Sequence, residues 1–205
     1  MTRVAVLGTG VVGRTMSQRL AEVGHDVVTG SRTAKDDRVR SFAEAAGHGE
    51  LVVNATNGLA SIAALTAAGA ENVSGKPLLD VSNPLDASGG FPPKVLASDT
   101  ESNAERIQAA FPQALVVKGL NTMNCAVMAR PRDLPGSHTV FLAGNEAGAK
   151  TAVRALLADI GWADDEMLDL GDLSAARGLE MYLPLWLRTY GALGTGAFNI
   201  HVVRG

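Results

Sequence analysis

The sequence has few of the residues on which metal centres, disulfide frameworks and membrane spans depend. Its 205 residues include one cysteine, Cys125, which excludes internal disulfides and cysteine-rich metal sites. The four histidines are scattered, and none lies at ligand spacing from another histidine or from Cys125. Glycine, proline or charge interrupts every long apolar run. We therefore expect no metal site and no membrane span.

Aromatic side chains and net charge are also scarce. Aromatic residues make up 4% of the chain, so valine, leucine and alanine must fill most of the core. The formal net charge is −3 and no basic stripe is present, which argues against binding of nucleic acid. The first predicted strand begins at residue 3, which leaves no room for a signal peptide. The composition predicts a cytoplasmic protein.

The most informative segment is glycine-rich and lies near the N-terminus. The apolar run of residues 3–7 leads into GTGVVG at residues 8–13, and helical spacing of apolar residues follows. A strand, a glycine turn and a helix in this order are typical of a dinucleotide site, with the pyrophosphate at the helix N-terminus. Gly8 permits the tight turn, Gly10 lets the backbone approach the phosphates, and Gly13 allows close helix packing. The alternative is an ordinary structural turn.

The end of the second predicted strand indicates which dinucleotide binds. This strand, residues 26–30, is followed by Ser31, Arg32 and Thr33, with no acid at its tip. An NAD site usually carries Asp or Glu there to hold the ribose 2′-hydroxyl. A guanidinium and two hydroxyls suit a 2′-phosphate instead, and Lys35 adds a second positive charge. The segment predicts NADP(H), the alternative being a solvated polar loop.

Strand and helix patterns alternate along the rest of the chain. Further strands are predicted at 51–55, 77–81, 115–117 and 139–143, with helices at 59–68, 102–111 and 147–160. This alternation predicts an α/β fold, a doubly wound, mostly parallel sheet (Rossmann fold) with a C-terminal helical segment. We expect an NADP-binding Rossmann domain over residues 1–160 and a helical extension over residues 161–205, which serves dimerisation and the substrate pocket.

Ligands of open α/β sheets bind at the carboxyl ends of the strands. Three such ends carry amides and hydroxyls, and their candidate cofactor-binding residues are Ala55, Thr56, Asn83, Pro84 and Cys125. No carboxylate or imidazole is placed there for acid–base work, so we predict no catalytic side chain. Direct hydride transfer between two stacked rings fits such a site, because the rings supply the reactivity and the protein positions them. For Asn83 and Asn121, a role as a turn or helix cap is the alternative.

The chain resembles the NADPH:coenzyme F420 oxidoreductase family, also called F420-dependent NADP reductases. The resemblance rests on residues 6–13, residues 24–32 and residues 120–123, and it extends to residues 170–172 and the helix after them. It implies a small dimer that passes hydride between NADPH and F420 or a flavin-like acceptor.

The resemblance also implies roles for individual residues. Residues implied to hold the pyrophosphate are Thr9, Gly10, Val11 and Val12, whereas Ser31 and Arg32 hold the 2′-phosphate. The segment from Asn121 to Cys125 faces the nicotinamide and the acceptor, with Asn121, Thr122 and Met123 orienting the two rings. Family members with the known activity tend to carry histidine where Asn121 stands and proline where Asn124 stands, which leaves the acceptor open.

Three other readings compete with this one. Hydroxyacid and imino-acid reductases share the first domain but add a large helical domain, and only about 60 residues follow the sixth strand here. Membrane ferric reductases have a similar cytosolic domain but also transmembrane helices, which the sequence lacks. A non-catalytic NADPH-binding redox sensor is equally compatible with the missing acid–base residue.

The last 35 residues carry more apolar surface than a lone domain needs. Leu183 and Trp186 share one helical stripe, while Met181 and Leu185 widen it to the side. The excess predicts a homodimer with Leu183 and Trp186 as central anchors, the alternative being a core within one protomer. Pro184 is expected to kink or restart the helix near Leu183.

Replacing Arg32 by alanine is expected to weaken NADPH binding by about 10- to 100-fold, because a charged partner of the 2′-phosphate is lost. NADH, which has no 2′-phosphate, should bind the native protein and the variant alike. Titrations of both cofactors against both proteins measure the effect. Equal affinity of the native protein for NADPH and NADH would contradict the prediction.

Overall fold

The computed structural model of the protein describes residues 1–33 and 38–203. The strands, in chain order, are β1 (Arg3–Leu7), β2 (Asp26–Ser31), β3 (Val39–Ser41), β4 (Leu51–Asn54), β5 (Pro77–Asp80), β6 (Leu85–Asp86), β7 (Lys94–Val95), β8 (Leu115–Gly119), β9 (Val140–Gly144) and β10 (Met167–Asp169). The helices are α1 (Val11–Glu22), α2 (Phe42–His48), α3 (Gly58–Ala68), α4 (Ala70–Val73), α5 (Asn103–Ala110), α6 (Cys125–Ala129), α7 (Ala147–Ile160), α8 (Ala176–Met181) and α9 (Leu183–Leu193). Short 3-10 turns cover Pro131–Asp133, Asp164–Glu166 and Leu173–Ala175.

Eight of these strands form one sheet in the order β10-β9-β8-β5-β4-β1-β2-β3. All neighbouring pairs are parallel except β8 and β9, so β9 and β10 run opposite to the other six. The strands β6 and β7 form a separate antiparallel hairpin. The predicted doubly wound, mostly parallel sheet with a C-terminal helical segment is confirmed.

Successive residues of β1 show why helices cover both faces of the sheet. Val4 and Val6 point to one side, where they belong to the same core as Met16 of α1. Ala5 and Leu7 belong to the core on the other side, together with α2, α3 and α5. These four of the five β1 residues are fully buried, as expected for a central parallel strand. This burial holds the glycine turn after β1 at a fixed place on the sheet edge.

The structure also contains elements that the sequence patterns did not predict. These are β3, α2, the β6–β7 hairpin, the short helices α4 and α6, and β10. A capping box begins the predicted helix α5: the Ser102 hydroxyl accepts from the Glu105 amide, and the Glu105 carboxylate accepts from the Ser102 amide. The sheet continues past residue 160 because β10 pairs with β9. The domain division at that residue stays a prediction.

An ion pair holds the C-terminal helices against α5. Arg177 of α8 donates through two nitrogens to the Glu105 carboxylate, at 2.6 and 2.9 Å. These hydrogen bonds lower the pKa of Glu105 from 4.5 to about 2. Since the pKa is lower in the folded state, the pair stabilises the fold above about pH 4.5, and this contribution is lost as the pH falls toward 2. As expected, Pro184 lies in the first turn of a restarted helix, α9.

Candidate functional site

The glycine turn after β1 is shaped by close backbone contacts. Gly8 has a φ of 119°, and a Cβ there would lie 2.6 Å from the carbonyl oxygen of Ala55. A Cβ on Gly13 would lie 2.0 Å from the carbonyl oxygen of Gly8, which accounts for the third glycine of the motif. A Cβ on Gly10 would meet nothing within 4 Å, so space is open above this part of the turn.

The N-terminus of α1 faces that open space. Its N-cap residue is Gly10, no side chain caps the helix, and no acid lies in its first turn. Arg14 reaches back so that its Nη1 donates to the Thr9 carbonyl at 2.7 Å. Uncapped backbone N–H groups, the helix dipole and a nearby guanidinium together suit the two phosphates of a dinucleotide.

The end of β2 lies beside this turn, because the Gly8 amide donates to the Gly30 carbonyl at 2.9 Å. The buried Ser31 folds onto its own turn: its hydroxyl accepts from the Thr33 amide at 3.1 Å and contacts the Thr33 carbonyl. Arg32 and Thr33 are exposed. Lys35, the predicted second positive charge, lies outside the described residues.

A pocket of about 420 Å³ opens at the carboxyl ends of β1, β4, β5 and β8. It brings together predicted site residues from four separate segments: Gly10, Val11, Val12, Ala55, Thr56, Asn83, Asn121, Met123 and Cys125. Within the described chain, Cys125 is the only lining residue with a titratable side chain. The pocket thus has space for a ring system and no evident acid–base group.

The remaining predicted residues lie around the pocket without lining it. Gly8 and Thr9 form the turn below, and Ser31, Arg32 and Thr33 lie at the neighbouring strand end. Pro84 is buried and its carbonyl accepts from Leu96, which joins it to the hairpin. Thr122 is also buried. Cys125, by contrast, lines the pocket and is half-buried, and its thiol lies 3.9 Å from the Thr15 hydroxyl.

Two asparagines clamp the pocket floor. Asn121 Nδ2 donates to Asn83 Oδ1 and to the Leu179 carbonyl, both at 3.0 Å. Asn83 Nδ2 donates in return to the Asn121 carbonyl at 2.8 Å. The chain reaches Asn121 through Leu120, which has a φ of 62°, a strained value for leucine. These hydrogen bonds join β5, β8 and α8, whereas the asparagines that cap helices nearby are Asn57 for α3 and Asn124 for α6.

Two buried polar atoms of the pocket-lining residues lack partners among the described residues. They are Asn121 Oδ1, an acceptor, and Trp186 Nε1, a donor. The Asn121 amide cannot be flipped, because its nitrogen already donates to two acceptors. An unsatisfied buried polar group has a cost that a ligand can remove. The pair suits a group with a donor and an acceptor of its own, such as the nicotinamide carboxamide.

Sequence reasoning missed several lining residues. They are Asn57, Val81, Ser82, Leu85, Asn124, Met128, Leu183 and Trp186. Most lie within or beside the strand-end segments already singled out, but Leu183 and Trp186 arrive from α9, far along the chain. Both were expected to anchor a dimer; instead, Leu183 is 6% exposed and both line the pocket. The sequence carried no signal for this, since apolar periodicity does not say what a helix covers.

A buried charge cluster lies beneath the pocket. Lys118 of β8 donates to Asp80 Oδ2 at 2.8 Å and to the Ser82 carbonyl at 2.6 Å, and it lies 2.9 Å from Glu180 Oε1. The side chains of Lys118 and Asp80 are 0% exposed and that of Glu180 is 1% exposed. The Glu180 carboxylate also accepts the Asn103 amide at 2.8 Å. Lys118 and its partners thus connect the ends of β5 and β8 with α8 and with the start of α5.

Two opposing effects act on the pKa of Lys118. Burial alone would lower the pKa of Lys118, but the carboxylates of Asp80 and Glu180 outweigh it and raise this pKa above its usual value. Asp80 also accepts Asn54 Nδ2 at 2.8 Å, and Asn54 Oδ1 accepts the Thr56 hydroxyl at 2.7 Å. The cluster therefore continues by hydrogen bonds up to Thr56 in the pocket wall.

Over residues 1–33 and 38–203, no three His, Cys, Asp or Glu side chains are grouped so as to hold a metal ion. No helix in those ranges is both long enough and apolar enough to span a bilayer.

The sheet, the glycine turn and the pocket at the strand ends are typical of dinucleotide-binding α/β proteins. Residues 3–84 match the family of coenzyme F420-dependent NADP oxidoreductases. A crystal structure from Arthrobacter sp. FB24, provisionally described as an F420-dependent NADP reductase, is 48% identical with a TM-score of 0.92, and the match covers 100% of both chains. The chain belongs to this family.

More distant relatives share the fold or part of the sequence. The rat metalloreductase STEAP3 is 32% identical over 90% of this chain, which corresponds to 38% of that protein's length. The human metalloreductase STEAP2 is 31% identical, and the match covers 36% of its length. The chain therefore spans less than two fifths of these curated relatives. An imine reductase from Aspergillus terreus shares only the fold, at 17% identity and a TM-score of 0.65 over 95% of this chain and 63% of the other.

Replacing Lys118 by methionine is expected to lower the free energy of unfolding by about 3–5 kcal/mol, because two buried carboxylates lose their counter-charge. The control is Arg3→Met, which breaks the exposed Arg3–Glu50 pair and should cost at most about 1 kcal/mol. Denaturant titration of both variants at neutral pH measures the difference. Equal small losses would show that the buried cluster contributes no more than a surface pair.

Proposed function

We propose that the protein transfers hydride between NADPH and the planar ring of a deazaflavin, such as coenzyme F420, or of a flavin. The observation that carries this proposal is the character of the pocket at the strand ends. Amides, hydroxyls and apolar groups line it, beside a glycine turn built for phosphate, and its only titratable lining side chain among the described residues is Cys125. Transfer between two rings needs positioning and no proton relay within the protein.

The residues divide into two groups in this proposal. The α1 N-terminus and Arg14 hold the pyrophosphate, while Ser31, Arg32 and Thr33 receive the 2′-phosphate. When bound, NADPH supplies the hydride that the acceptor ring takes up. Assignment of NADP(H) as the cofactor is supported by the family and by the absence of an acid at the end of β2.

The ring-binding side of the pocket is built by the asparagine clamp and by α9. Asn121 offers its unpartnered Oδ1, and Met123 and Leu183 supply apolar surface. Trp186 stacks on Tyr190 at 5.4 Å and on Phe198 at 5.5 Å between ring centroids, so its indole is held as part of an aromatic wall. A rigid aromatic wall beside an amide floor favours a flat acceptor over a flexible one.

A non-catalytic NADPH sensor remains the second candidate, because a pocket without an acid or base suits binding alone. The missing proton relay supports both candidates equally. Stereospecifically deuterated NADPH separates them: an enzyme passes the label to the acceptor, and a sensor leaves NADPH unoxidised with F420, FMN, FAD and riboflavin alike.

Replacing Asn121 by alanine is expected to lower the rate of hydride transfer by about 10- to 100-fold, because it loosens the clamp without removing a proton carrier. NADPH titration and acceptor reduction are measured on the same samples. The control is Asn72→Ala, since Asn72 is half-buried, donates to the Ala68 carbonyl and lies outside the pocket. Complete loss of turnover with NADPH binding intact would contradict pure positioning and indicate a role for Asn121 in proton transfer.

We also propose that the protein is a homodimer that uses the outer face of the C-terminal helices. Met181, Leu185 and Leu193 are 46%, 60% and 57% exposed, and none of these apolar side chains is among the described residues that line the pocket. A twofold pair would cover this face on both copies at once.

Sedimentation at micromolar concentration should give about twice the chain mass of 21.2 kDa. Leu185→Glu should halve that mass, because it would bury a charge in the interface. Leu59→Glu, at a position 55% exposed on α3, is the matched control and should leave the mass unchanged. A native protein that sediments as a monomer would exclude the dimer.

A further inference from the structure

A second cavity, of about 520 Å³, lies against the other side of α9. Pro184, Leu187, Arg188 and Gly191 line it at the i, i+3, i+4, i+7 spacing of one helix face. The segment 91–93 and Val95 of the hairpin close it opposite. Nothing in the proposed hydride transfer uses this cavity.

The cavity shares its wall with the pocket at the strand ends. Leu85 lines the pocket and is the cross-strand partner of Val95, which lines the cavity. On α9, Trp186 lines the pocket while the next residue, Leu187, lines the cavity. The aromatic wall also reaches across, since Tyr190 stacks on Trp186 and meets Phe91 edge-on at 5.7 Å. A ligand ring in the pocket therefore lies one side-chain layer from the cavity.

Among the described residues that line the cavity, Arg188 is the only charged one. Its guanidinium forms no ion pair or hydrogen bond with any residue that the structure describes. Most other described arginines have such a partner, for example Arg177 with Glu105 and Arg106 with Glu101. Arg188 is exposed, so its guanidinium, beside proline, leucine and phenylalanine side chains, can pair with an anion that carries an apolar portion.

We propose that this cavity binds an anionic substituent of the hydride acceptor, with Arg188 as the residue that selects for it. The inference rests on the proposed function for the acceptor ring, and it adds the substrate class: a deazaflavin or flavin whose side chain ends in phosphate or carboxylate. The apolar face of the cavity packs against the linking chain, and Arg188 pairs with the charge. Arg188 is here a specificity-determining residue and takes no part in hydride transfer.

Gly191 allows the cavity to be filled without strain. A Cβ at this position would meet nothing within 4 Å, and the residue lies within α9, where a larger side chain is also a better helix former. Gly191→Leu should therefore fold and occupy the space. Gly148→Leu is the matched control, because Gly148 is also helical and open but lies on α7, away from both cavities.

The test compares acceptors that differ only in charge. FMN and riboflavin differ by one phosphate, and F420 is paired with its chromophore without the anionic tail. Equilibrium binding to the NADP⁺-loaded protein, followed by flavin or deazaflavin fluorescence, should favour the anionic member of each pair by about 10- to 100-fold, as for one charge-assisted contact. Arg188→Gln and Gly191→Leu should remove this preference and leave riboflavin binding unchanged. Arg106→Gln and Gly148→Leu should keep it.

The outcomes separate this inference from the proposed function. A charge preference that depends on Arg188, without any oxidation of NADPH, would support the cavity assignment and refute hydride transfer. Turnover with no charge preference, or with a preference that survives Arg188→Gln, would overturn the assignment and leave hydride transfer standing. Failure of all four acceptors to bind would also overturn it. So would loss of self-association in both cavity variants, since a second copy would then be the occupant.

Discussion

The arrangement around the pocket depends on one buried ammonium group. Lys118 is held between Asp80 at the end of β5 and Glu180 on α8, and all three side chains are shielded from water. Burying these charges costs several kcal/mol per ion, which is recovered only when every partner is in place. The geometry of the strand ends is therefore coupled to docking of the C-terminal helices. Because α8 leads directly into α9, the same cluster determines where Leu183 and Trp186 meet the pocket.

The cluster also keeps the charged carboxylates out of the pocket. The carboxylates of Asp80 and Glu180 lie beneath the floor, paired with Lys118 and with backbone amides, and neither residue lines the pocket. The surface of the pocket around Thr56, Asn83 and Asn121 consists of neutral amides and hydroxyls. Such a layer orients rings by hydrogen bonds and packing and offers them no strong acid or base. This division suits chemistry that depends on position.

The family match covers the part of the chain assigned to the cofactor and not the part assigned to the acceptor. The family match covers residues 3–84, the part that contains the glycine turn and the end of β2. The wall formed by α9 and the cavity beyond it lie outside that range, although the Arthrobacter structure matches the chain over its whole length. In the proposed function, the cofactor is therefore recognised by the segment with the family signature. The proposed acceptor meets elements outside that segment, whose sequence says less about their function.

The sequence alone determined the main alternation of strands and helices, the glycine turn and the missing acid after β2. These features depend on neighbours within a few residues, so periodicity and local chemistry reveal them. Only the tertiary structure decided that Lys118, Asp80 and Glu180 meet, that Asn121 clamps Asn83, and that Trp186 lines the pocket. Those contacts join positions far apart in the chain. Their physical basis is burial and pairing of polar groups across the fold, which no local pattern records.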